Sequence, residues 1–350
     1  MIHPEWRTFL EKAGAMIVDD QVAHFGNPAV ETQIAVSGEV ITDLSQRALI
    51  AVRGADAEKY LQGQLTNDIH AVTQERSQLS AQCSPKGRAL ACFRVFRRGD
   101  TLYLALPQAL LESGLGGLRK YVLMSKVTLE VETNLVQIGY ANAKGDQHLR
   151  DSIQPIPEEV EAVTHSDGVT VIRVPGPHPR FELIGEVSAV KALWTKLDVH
   201  AAPVGAAPWA LLDILGGVPE LRPETVDAFV PQMINLDLLG GISFNKGCYT
   251  GQEIVARTHY LGKLKRRMYR LHCPIAEPPP PATPIYNRAK RSDESVGSVV
   301  AAQAAPEGGI ALLAVLQTEA TAQGELQLGG TDGPLCKLQT LPYSLEAPTN

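Results

Sequence analysis

The sequence has 350 residues, of which 44% are hydrophobic and 20% are charged. A chain of this length and composition is expected to fold into two or three packed domains rather than to remain disordered. The 32 basic and 38 acidic side chains leave a net charge of −6. This balance excludes a protein that binds nucleic acid through its overall charge.

The N-terminal residues carry acids early and lack a continuous apolar core, so no secretory signal is expected. No apolar run approaches the roughly 20 residues that span a bilayer. The five cysteines are scattered and contain no CxxC pair, which disfavours both a disulfide framework and a metal site built within the chain. We therefore expect a cytoplasmic protein with no membrane partner and no metal site of its own.

The first 140 residues alternate between strand and helix patterns. Strand-like apolar runs lie at 48–52, 89–96, 101–107 and 126–131, and helix-forming stretches lie at 54–65 and 110–124. The polar residues Arg97 to Asp100 separate two of these strands and predict a hairpin. The N-terminal part is therefore expected to be mixed α and β.

A second α+β unit is expected after the polar, proline-punctuated stretch at 141–161, with strands near 169–174 and 181–184 and a helix at 187–197. The proline run at 278–281 cannot lie inside a helix or a central strand and marks a further boundary. Beyond it, short β-prone runs at 295–302, 309–316 and 324–328 predict a small barrel or sandwich.

The most informative stretch is 238–263, LLGGISFNKGCYTGQEIVARTHYLGK. Thr250 and Glu253 have the spacing of a capping box, which predicts a helix that begins at Thr250. Cys248 would then lie two residues before the N-cap, where free amide donors and the helix dipole favour an anion.

Lys246 adds a cationic neighbour to Cys248, and Gly247 and Gly251 permit a tight backbone path around it. These features favour the reactive thiolate form. The alternative also stays open, because a lone cysteine is often a small buried hydrophobe.

A basic patch contains Lys263, Lys265, Arg266, Arg267 and Arg270. A solvated strand edge is the favoured interpretation, because few aromatic residues lie between these charges. The alternative is a surface that meets RNA phosphates. The histidines have no metal-ligand spacing, and no P-loop, GxGxxG turn or GxSxG elbow is present.

The octapeptide KGCYTGQE at 246–253 resembles the signature of the YgfZ family of folate-binding proteins, which are similar to the glycine cleavage T protein. Further segments that resemble this family lie at 54–69, 86–96, 118–128 and 341–346. The resemblance implies an α+β fold of three domains around a central hole that holds tetrahydrofolate, with a C-terminal β-barrel. The expected domains are 1–143, completed by 206–262; then 144–205; and then 263–350.

The resemblance places Cys248 and Lys246 at the reactive centre. The remaining motif residues are Gly247, Tyr249, Gly251, Gln252, Glu253 and Arg257, and the expected folate-binding residues are Trp209, Arg47 and Glu182. Tyr249 is expected to line the cleft, Glu253 to cap the helix, and Arg257 to face the opening or solvent. Trp209 is expected either to stack on the pterin or to be a plain core aromatic.

Two departures from the resemblance bear on function. Ala91 and Cys92 stand where T proteins carry carboxylates, and Arg47 stands where relatives often carry a tryptophan. Since neither Ala91 nor Cys92 can act as a carboxylate, the chain is expected to be an accessory factor rather than a stand-alone aminomethyltransferase.

The expected role is support of iron–sulfur cluster assembly or repair, for radical enzymes that include those of tRNA methylthiolation. The expected partners are iron–sulfur enzymes or cluster-assembly proteins, with tRNA contacted only indirectly. The alternatives are a folate-dependent one-carbon transfer enzyme similar to aminomethyltransferases and a tRNA-binding protein that acts through the basic patch.

Overall fold

The computed structural model describes residues 2–260, 264–290, 294–322 and 325–345. Within these ranges the helices are α1 Pro4–Lys12, α2 Pro28–Ser37, α3 Ala57–Gln62, α4 Leu111–Arg119, α5 Gln147–Ser152, α6 Val187–Leu197, α7 Ala206–Leu215, α8 Gln252–Tyr260 and α9 Thr318–Thr321. None of them is long and apolar enough to cross a membrane.

The strands in the same ranges are β1 Met16–Val18, β2 Gln21–His24, β3 Glu39–Asp43, β4 Arg47–Arg53, β5 Gln78–Cys83, β6 Ala89–Arg98, β7 Thr101–Pro107, β8 Thr128–Val131, β9 Leu135–Asn142, β10 Val163–Ser166, β11 Val169–Val174, β12 Arg180–Glu186, β13 Ala202–Val204, β14 Arg266–Cys273, β15 Pro284–Asn287, β16 Gly297–Ala304, β17 Ile310–Gln317, β18 Leu326–Leu328 and β19 Leu335–Gln339. Each predicted strand has a counterpart in this set. The predicted run at 324–328 begins at Gly324, which lies outside the described residues.

These strands form two larger sheets and a barrel. The first sheet has the order β5-β6-β7-β4-β8, and the second has the order β10-β11-β12-β9-β3-β13. The last six strands close into a barrel in the order β14-β17-β16-β15-β18-β19. This arrangement confirms the α+β class and the C-terminal barrel.

The five-stranded sheet contains the predicted hairpin. Arg98 pairs with Thr101, so that Gly99 and Asp100 alone make the turn. Gly99 adopts a φ of +57°, which a glycine accepts without steric cost. The alternation of β6 and β7 places Phe93, Val95 and Leu104 in one core, and Phe96 and Tyr103 in a second core on the other face of the sheet.

The helix predicted at 110–124 is shorter in the structure, since α4 ends at Arg119. Backbone hydrogen bonds from Tyr121 to Leu118 and from Val122 to Arg119 turn the chain away after the helix. Leu123 and Met124 are consequently 90% and 97% exposed.

The second sheet joins parts of the chain on both sides of the boundary predicted at 143. Its strands β3 and β9 precede that boundary, and β10 to β13 follow it. Residues after this sheet return to the five-stranded sheet: Leu211, Phe229 and Val255 pack in one core with Phe93 and Leu104. The segment between the second sheet and the barrel therefore packs against the five-stranded sheet, and this packing positions the loop that carries Cys248.

Candidate functional site at the Cys248 loop and the central cavity

Cys248 lies on the exposed loop that leads into α8. The helix begins at Gln252, so the predicted start at Thr250 is wrong. Gly251 adopts a φ of +83°, which lies outside the helical region and moves the first helical residue further along the chain. Glu253 is exposed and has no hydrogen-bond partner among the described residues, so the expected capping box does not form.

The loop is closed by hydrogen bonds from Gln252. Its side-chain Nε2 donates to the carbonyl oxygen of Gly247 at 3.3 Å, and its backbone amide donates to the carbonyl of Tyr249 at 3.2 Å. Cys248 is therefore held between two residues that are bonded to the start of the helix. Arg257 lies further along α8 and is exposed.

Lys246 anchors the other end of the loop. Its ammonium donates to the carbonyl oxygens of Leu65 and Asn67 at 2.7 and 2.8 Å. Burial lowers the pKa of Lys246 to about 8, an effect that the carboxylate of Asp68 partly opposes. The hydrogen bonds of this ammonium hold the main chain, a role that the sequence did not indicate.

Tyr249 packs beneath the loop instead of lining an open cleft. It is 7% exposed, and the Lys246 ammonium lies 5.2 Å from the centre of its ring. Burial raises the pKa of the Tyr249 hydroxyl, with the Cys83 thiol as a lesser contributor. The expectation that Tyr249 lines the cleft is therefore wrong.

Two motifs that are distant in sequence touch at this loop. A Cβ on Gly251 would lie 2.4 Å from the carbonyl oxygen of Ser84, and a Cβ on Gly87 would lie 2.6 Å from Cβ of Ile254. Only glycine allows the turn at 84–87 to approach α8 this closely. Together with the contacts of Lys246 at 65–67, this approach brings two distant segments of the chain to the Cys248 loop.

A separate cavity of about 460 Å³, which we call the central cavity, is lined by Arg47 and Trp209 but not by Glu182, the third predicted folate-binding residue. Its wall includes Arg47, Trp209, Asp213, Glu220 and Arg222, with Gln303 contributed by the barrel. Two smaller cavities, of about 50 and 210 Å³, share Asp213 and Glu220 with it. These two carboxylates therefore lie where three cavities meet, and Cys248 lies outside the lining of all three.

Arg47 is the centre of a buried ionic network. It pairs with Glu182, with Asp213 at 2.9 Å and with Glu220 at 3.9 Å. Burial alone would lower the pKa of Arg47, but the three carboxylates together raise it. The structure thus brings together Arg47 and Glu182, which the resemblance grouped as folate-binding residues.

Further arginines neutralise the same carboxylates. Arg180 pairs with Asp213 at 3.0 Å, Arg222 pairs with Glu220 at 2.6 Å, and Arg94 bridges Glu182 at 3.3 Å and Glu161. The sequence analysis missed Asp213 and Glu220. A usable signal was present, since Asp213 interrupts the otherwise apolar helix α7.

Trp209 is 1% exposed at the wall of the central cavity. The Arg180 guanidinium lies 4.1 Å from the centre of its ring, and a Cβ on Gly139 would lie 2.6 Å from a ring atom. A pterin could stack on the covered face only if Arg180 moved. Of the two roles that the sequence left open, this packing favours the core aromatic.

Ala91 and Cys92 are neighbours on β6, and Cys92 shares a cavity wall with Asp213 and Glu220, whereas Ala91 packs in the core with Phe93. Ala91 is buried, and Cys92 lines the cavity of about 50 Å³ together with Arg94. Burial raises the pKa of the Cys92 thiol to about 12, so the thiol stays protonated at neutral pH. Carboxylates are nevertheless present in the central region, because Asp213 and Glu220 supply them from another part of the chain.

Two of the five residues of the basic patch, Arg267 and Arg270, make internal contacts. Arg267 binds both carboxylate oxygens of Asp237, at 2.6 and 2.9 Å. Arg270 donates to the carbonyl of Leu215 at 3.4 Å, whereas Lys265 is exposed. Lys263 lies outside the described residues. Arg267 and Arg270 are therefore poorly placed to bind RNA phosphates.

Comparison with known proteins places the chain among curated relatives. It is 33% identical over 319 residues to the tRNA-modifying protein YgfZ of Yersinia pestis (strain Pestoides F), covering 91% of this chain and 97% of the relative. It is 30% identical over 307 residues to the tRNA-modifying protein YgfZ of Colwellia psychrerythraea (strain 34H / ATCC BAA-681), covering 88% and 94%. No protein-family model matches the chain.

Among solved structures, the fold is similar to the glycine cleavage system aminomethyltransferase T from Bartonella henselae. The TM-score is 0.79 at 17% identity, and the match covers 97% of this chain and 96% of the other. The fold is thus that of aminomethyltransferase T. Because the curated relatives match nearly the whole chain, the chain belongs to the YgfZ family of tRNA-modifying proteins.

Proposed function

We propose that the chain binds tetrahydrofolate in the central cavity and uses Cys248 to support iron–sulfur enzymes of the cytoplasm, including those that methylthiolate tRNA. The observation that carries this proposal is the exposure of Cys248: the other four cysteines are buried or half-buried. An exposed sulfur on a loop fixed at both ends can meet a partner protein without unfolding of the loop.

The chemistry of the thiol favours a partner that brings further ligands. Iron–sulfur clusters are held by several thiolates, whereas the described part of the chain contains no group of three or more side chains able to hold a metal. A cluster or sulfur species at Cys248 would therefore be shared with an iron–sulfur enzyme or a cluster-assembly protein.

The central cavity has the chemistry that a reduced folate requires. Its volume of about 460 Å³ lies in the usual range for small-molecule sites. The carboxylates of Asp213 and Glu220 can accept hydrogen bonds from the N–H groups of a pterin, and Arg222 can bind the carboxylate of the folate's glutamate. The expected test titrates tetrahydrofolate while tryptophan fluorescence is followed.

Glu220→Gln is the variant of choice for that titration, because it removes a charge from the wall with almost no change in volume. Saturable quenching in the wild type that weakens in Glu220→Gln supports the proposal. If quenching is absent, or is equal in both proteins, the proposal that folate binds in this cavity is refuted.

The role of Cys248 is tested in cells that lack the endogenous protein, by measuring the methylthiolated fraction of tRNA with mass spectrometry. We expect Cys248→Ala to lose support of methylthiolation while the purified variant still binds tetrahydrofolate. Gly247→Ala is the matched control, since a Cβ there meets no atom within 4 Å. Full methylthiolation with Cys248→Ala would show that the sulfur is not needed.

A second candidate is one-carbon transfer, which the fold match to an aminomethyltransferase and the carboxylates of the central region favour. Against it, each of Asp213 and Glu220 is paired with arginine, so neither is free to donate a proton. Formation of methylenetetrahydrofolate from an aminomethyl donor, measured with purified protein, separates the two functions.

A further inference from the structure

We propose that Cys273 and Cys336 form a redox-responsive site: a peroxide oxidises the two thiols to a disulfide, and this bridge closes the C-terminal barrel covalently. Cys273 is the last residue of β14, and Cys336 lies in β19. These are the first and last strands of the barrel in chain order, and they pair where the barrel closes. This inference goes beyond the proposed function and depends neither on folate nor on Cys248.

The strand register places the two cysteines opposite each other. Residues 270–272 of β14 pair with residues 337–339 of β19 in antiparallel order, with His272 opposite Lys337. The next pair along the two strands is Cys273 with Cys336. Opposite residues in antiparallel strands have Cα atoms about 4.5–5.5 Å apart, and a disulfide needs about 4.4–6.8 Å. The spacing of the paired strands therefore already suits a disulfide.

Both sulfurs lie in the same apolar core. Cys273 and Cys336 pack with Leu271, Ile310 and Leu326 inside the barrel. The two thiols are hydrogen bonded to each other, and this bond lowers the pKa of Cys273, whereas burial acts in the opposite direction. Cys273 is therefore the sulfur better prepared to attack a peroxide as a thiolate, with Cys336 beside it as the second thiol.

The oxidation consumes one hydrogen peroxide for each disulfide. The Cys273 thiolate attacks a peroxide oxygen and the O–O bond breaks, which leaves a sulfenic acid and a hydroxide that takes up the proton lost by Cys273. The sulfur of Cys336 then attacks the sulfenic sulfur, the S–O bond breaks, and a second water leaves with the proton of Cys336. The two thiols lose two electrons, and the peroxide is reduced to two waters. In a reducing compartment such a bridge is transient.

Access to the pair is controlled by the opening of β19. Cys273 is fully buried and Cys336 is 2% exposed, so a peroxide does not reach either sulfur in the closed barrel. Four of the five residues of β19 are exposed, and the strand pairs with β14 over three residues and with β18 over two. A short strand held in this way opens locally without unfolding of the whole chain. Opening uncovers the two thiols, and reclosing brings the oxidised sulfur back against its partner.

Cys83 and Cys92 provide a matched pair of thiols in the same chain. They lie on the neighbouring strands β5 and β6, but Cys83 is opposite Ala89 and Cys92 is opposite Ala81. Diagonal positions of antiparallel strands are about 7–8 Å apart, which is beyond the span of a disulfide. Burial also raises the pKa of both thiols. We therefore expect no bridge between these two cysteines.

The test oxidises the folded full chain with hydrogen peroxide in a Cys248→Ser background, which removes the exposed thiol. The remaining thiols are alkylated in denaturant, and the peptides are mapped by mass spectrometry. We expect a pair of peptides linked through Cys273 and Cys336, lighter than the reduced pair by two hydrogens. No link is expected between Cys83 and Cys92. Dithiothreitol should restore the free thiols of Cys273 and Cys336.

Stability against urea gives a second measurement. The urea midpoint of the oxidised protein should rise by roughly 1 M, given the usual stabilisation by a disulfide and the urea slope of a small domain. The rise should disappear with dithiothreitol. It should also be absent when Cys336→Ala, which keeps a small apolar side chain in the barrel, is added to the same background.

Three results would overturn the proposal. The first is that peroxide leaves Cys273 and Cys336 unlinked, or links Cys83 and Cys92 just as fast. The second is a link that forms only in urea concentrations that unfold the chain, because local opening of β19 would then not be sufficient. The third is a linked protein whose urea midpoint is unchanged. The peptide map uses no barrel variant, so its result holds even if Cys336→Ala folds poorly.

Discussion

Gly251→Ala should destabilise the Cys248 loop, because the turn at 84–87 leaves no space for a side chain there. A Cβ on Gly251 would lie 2.4 Å from the carbonyl oxygen of Ser84 and 2.9 Å from Cα of Gly87. Both are backbone atoms, so no side-chain rotation can relieve the contact. The φ of +83° at Gly251 adds a second penalty for any residue with a Cβ.

The magnitude follows from these two penalties. A left-handed conformation costs an alanine about 1–2 kcal/mol, and overpacking against fixed atoms costs about 1–3 kcal/mol. Alanine also lowers the conformational entropy of the unfolded chain, and this effect offsets the two penalties by less than about 1 kcal/mol. The free energy of unfolding should therefore fall by about 1–5 kcal/mol.

Gly247→Ala provides the matched control, four residues away on the same loop. A Cβ there meets no heavy atom within 4 Å, so the expected change is within about 0.5 kcal/mol. Urea unfolding of both variants measures the difference, and the rate at which Cys248 reacts with an exposed-thiol reagent reports the position of the loop. If Gly251→Ala is no less stable than Gly247→Ala, the turn at 84–87 does not support the Cys248 loop.

Three further predictions concern charge and the thiols. The pKa of Lys246 falls from 10.5 to about 8 on folding, so the unfolded chain binds more protons than the folded chain between these pH values. As pH rises from about 8 to 10.5, the wild type should therefore gain about 1–2 kcal/mol of stability relative to Lys246→Met, after a discount for solvent screening. Parallel curves of stability against pH for the two proteins would refute this. Arg47→Met should cost about 3–5 kcal/mol because it removes a cationic partner from three carboxylates and leaves the buried Glu182 with Arg94 alone at 3.3 Å. The double variant Arg47→Met, Glu182→Met should recover part of that loss in a double-mutant cycle. At neutral pH one thiol, Cys248, should react rapidly with a thiol reagent in the native protein, as counted by mass spectrometry; rapid reaction of Cys92 would contradict its burial.

The sequence predicted the regular elements well where a local pattern was enough. The helix predicted at 187–197 coincides with α6, and the strand predicted at 169–174 coincides with β11. The hairpin was also readable, because the polar stretch 97–100 between two apolar strands is a local signal, although in the structure Gly99 and Asp100 alone make the turn.

The site was less predictable, because its geometry depends on contacts between distant residues. The capping-box pattern at Thr250 was overridden by the close approach of Ser84 to Gly251, which fixes a left-handed backbone before the helix. The anchor of Lys246 lies near residue 66, and no local pattern pointed there. The resemblance located the motif, but only the fold shows which of its side chains face inward.

The ionic network at the central cavity bears on what kind of activity the site can have. The guanidinium of Arg47 gathers three carboxylates, and that of Arg180 covers Trp209. Each charged side chain of this network already has an oppositely charged partner. A ligand could bind by replacing one of these partners, but a network side chain that donates a proton in a reaction would first have to leave its ion pair. The wall of the central cavity is therefore better suited to binding a ligand than to catalysing one-carbon transfer. If the chain acts through Cys248, which lies outside this cavity, a folate bound here would act on the thiol through the fold and not by direct contact.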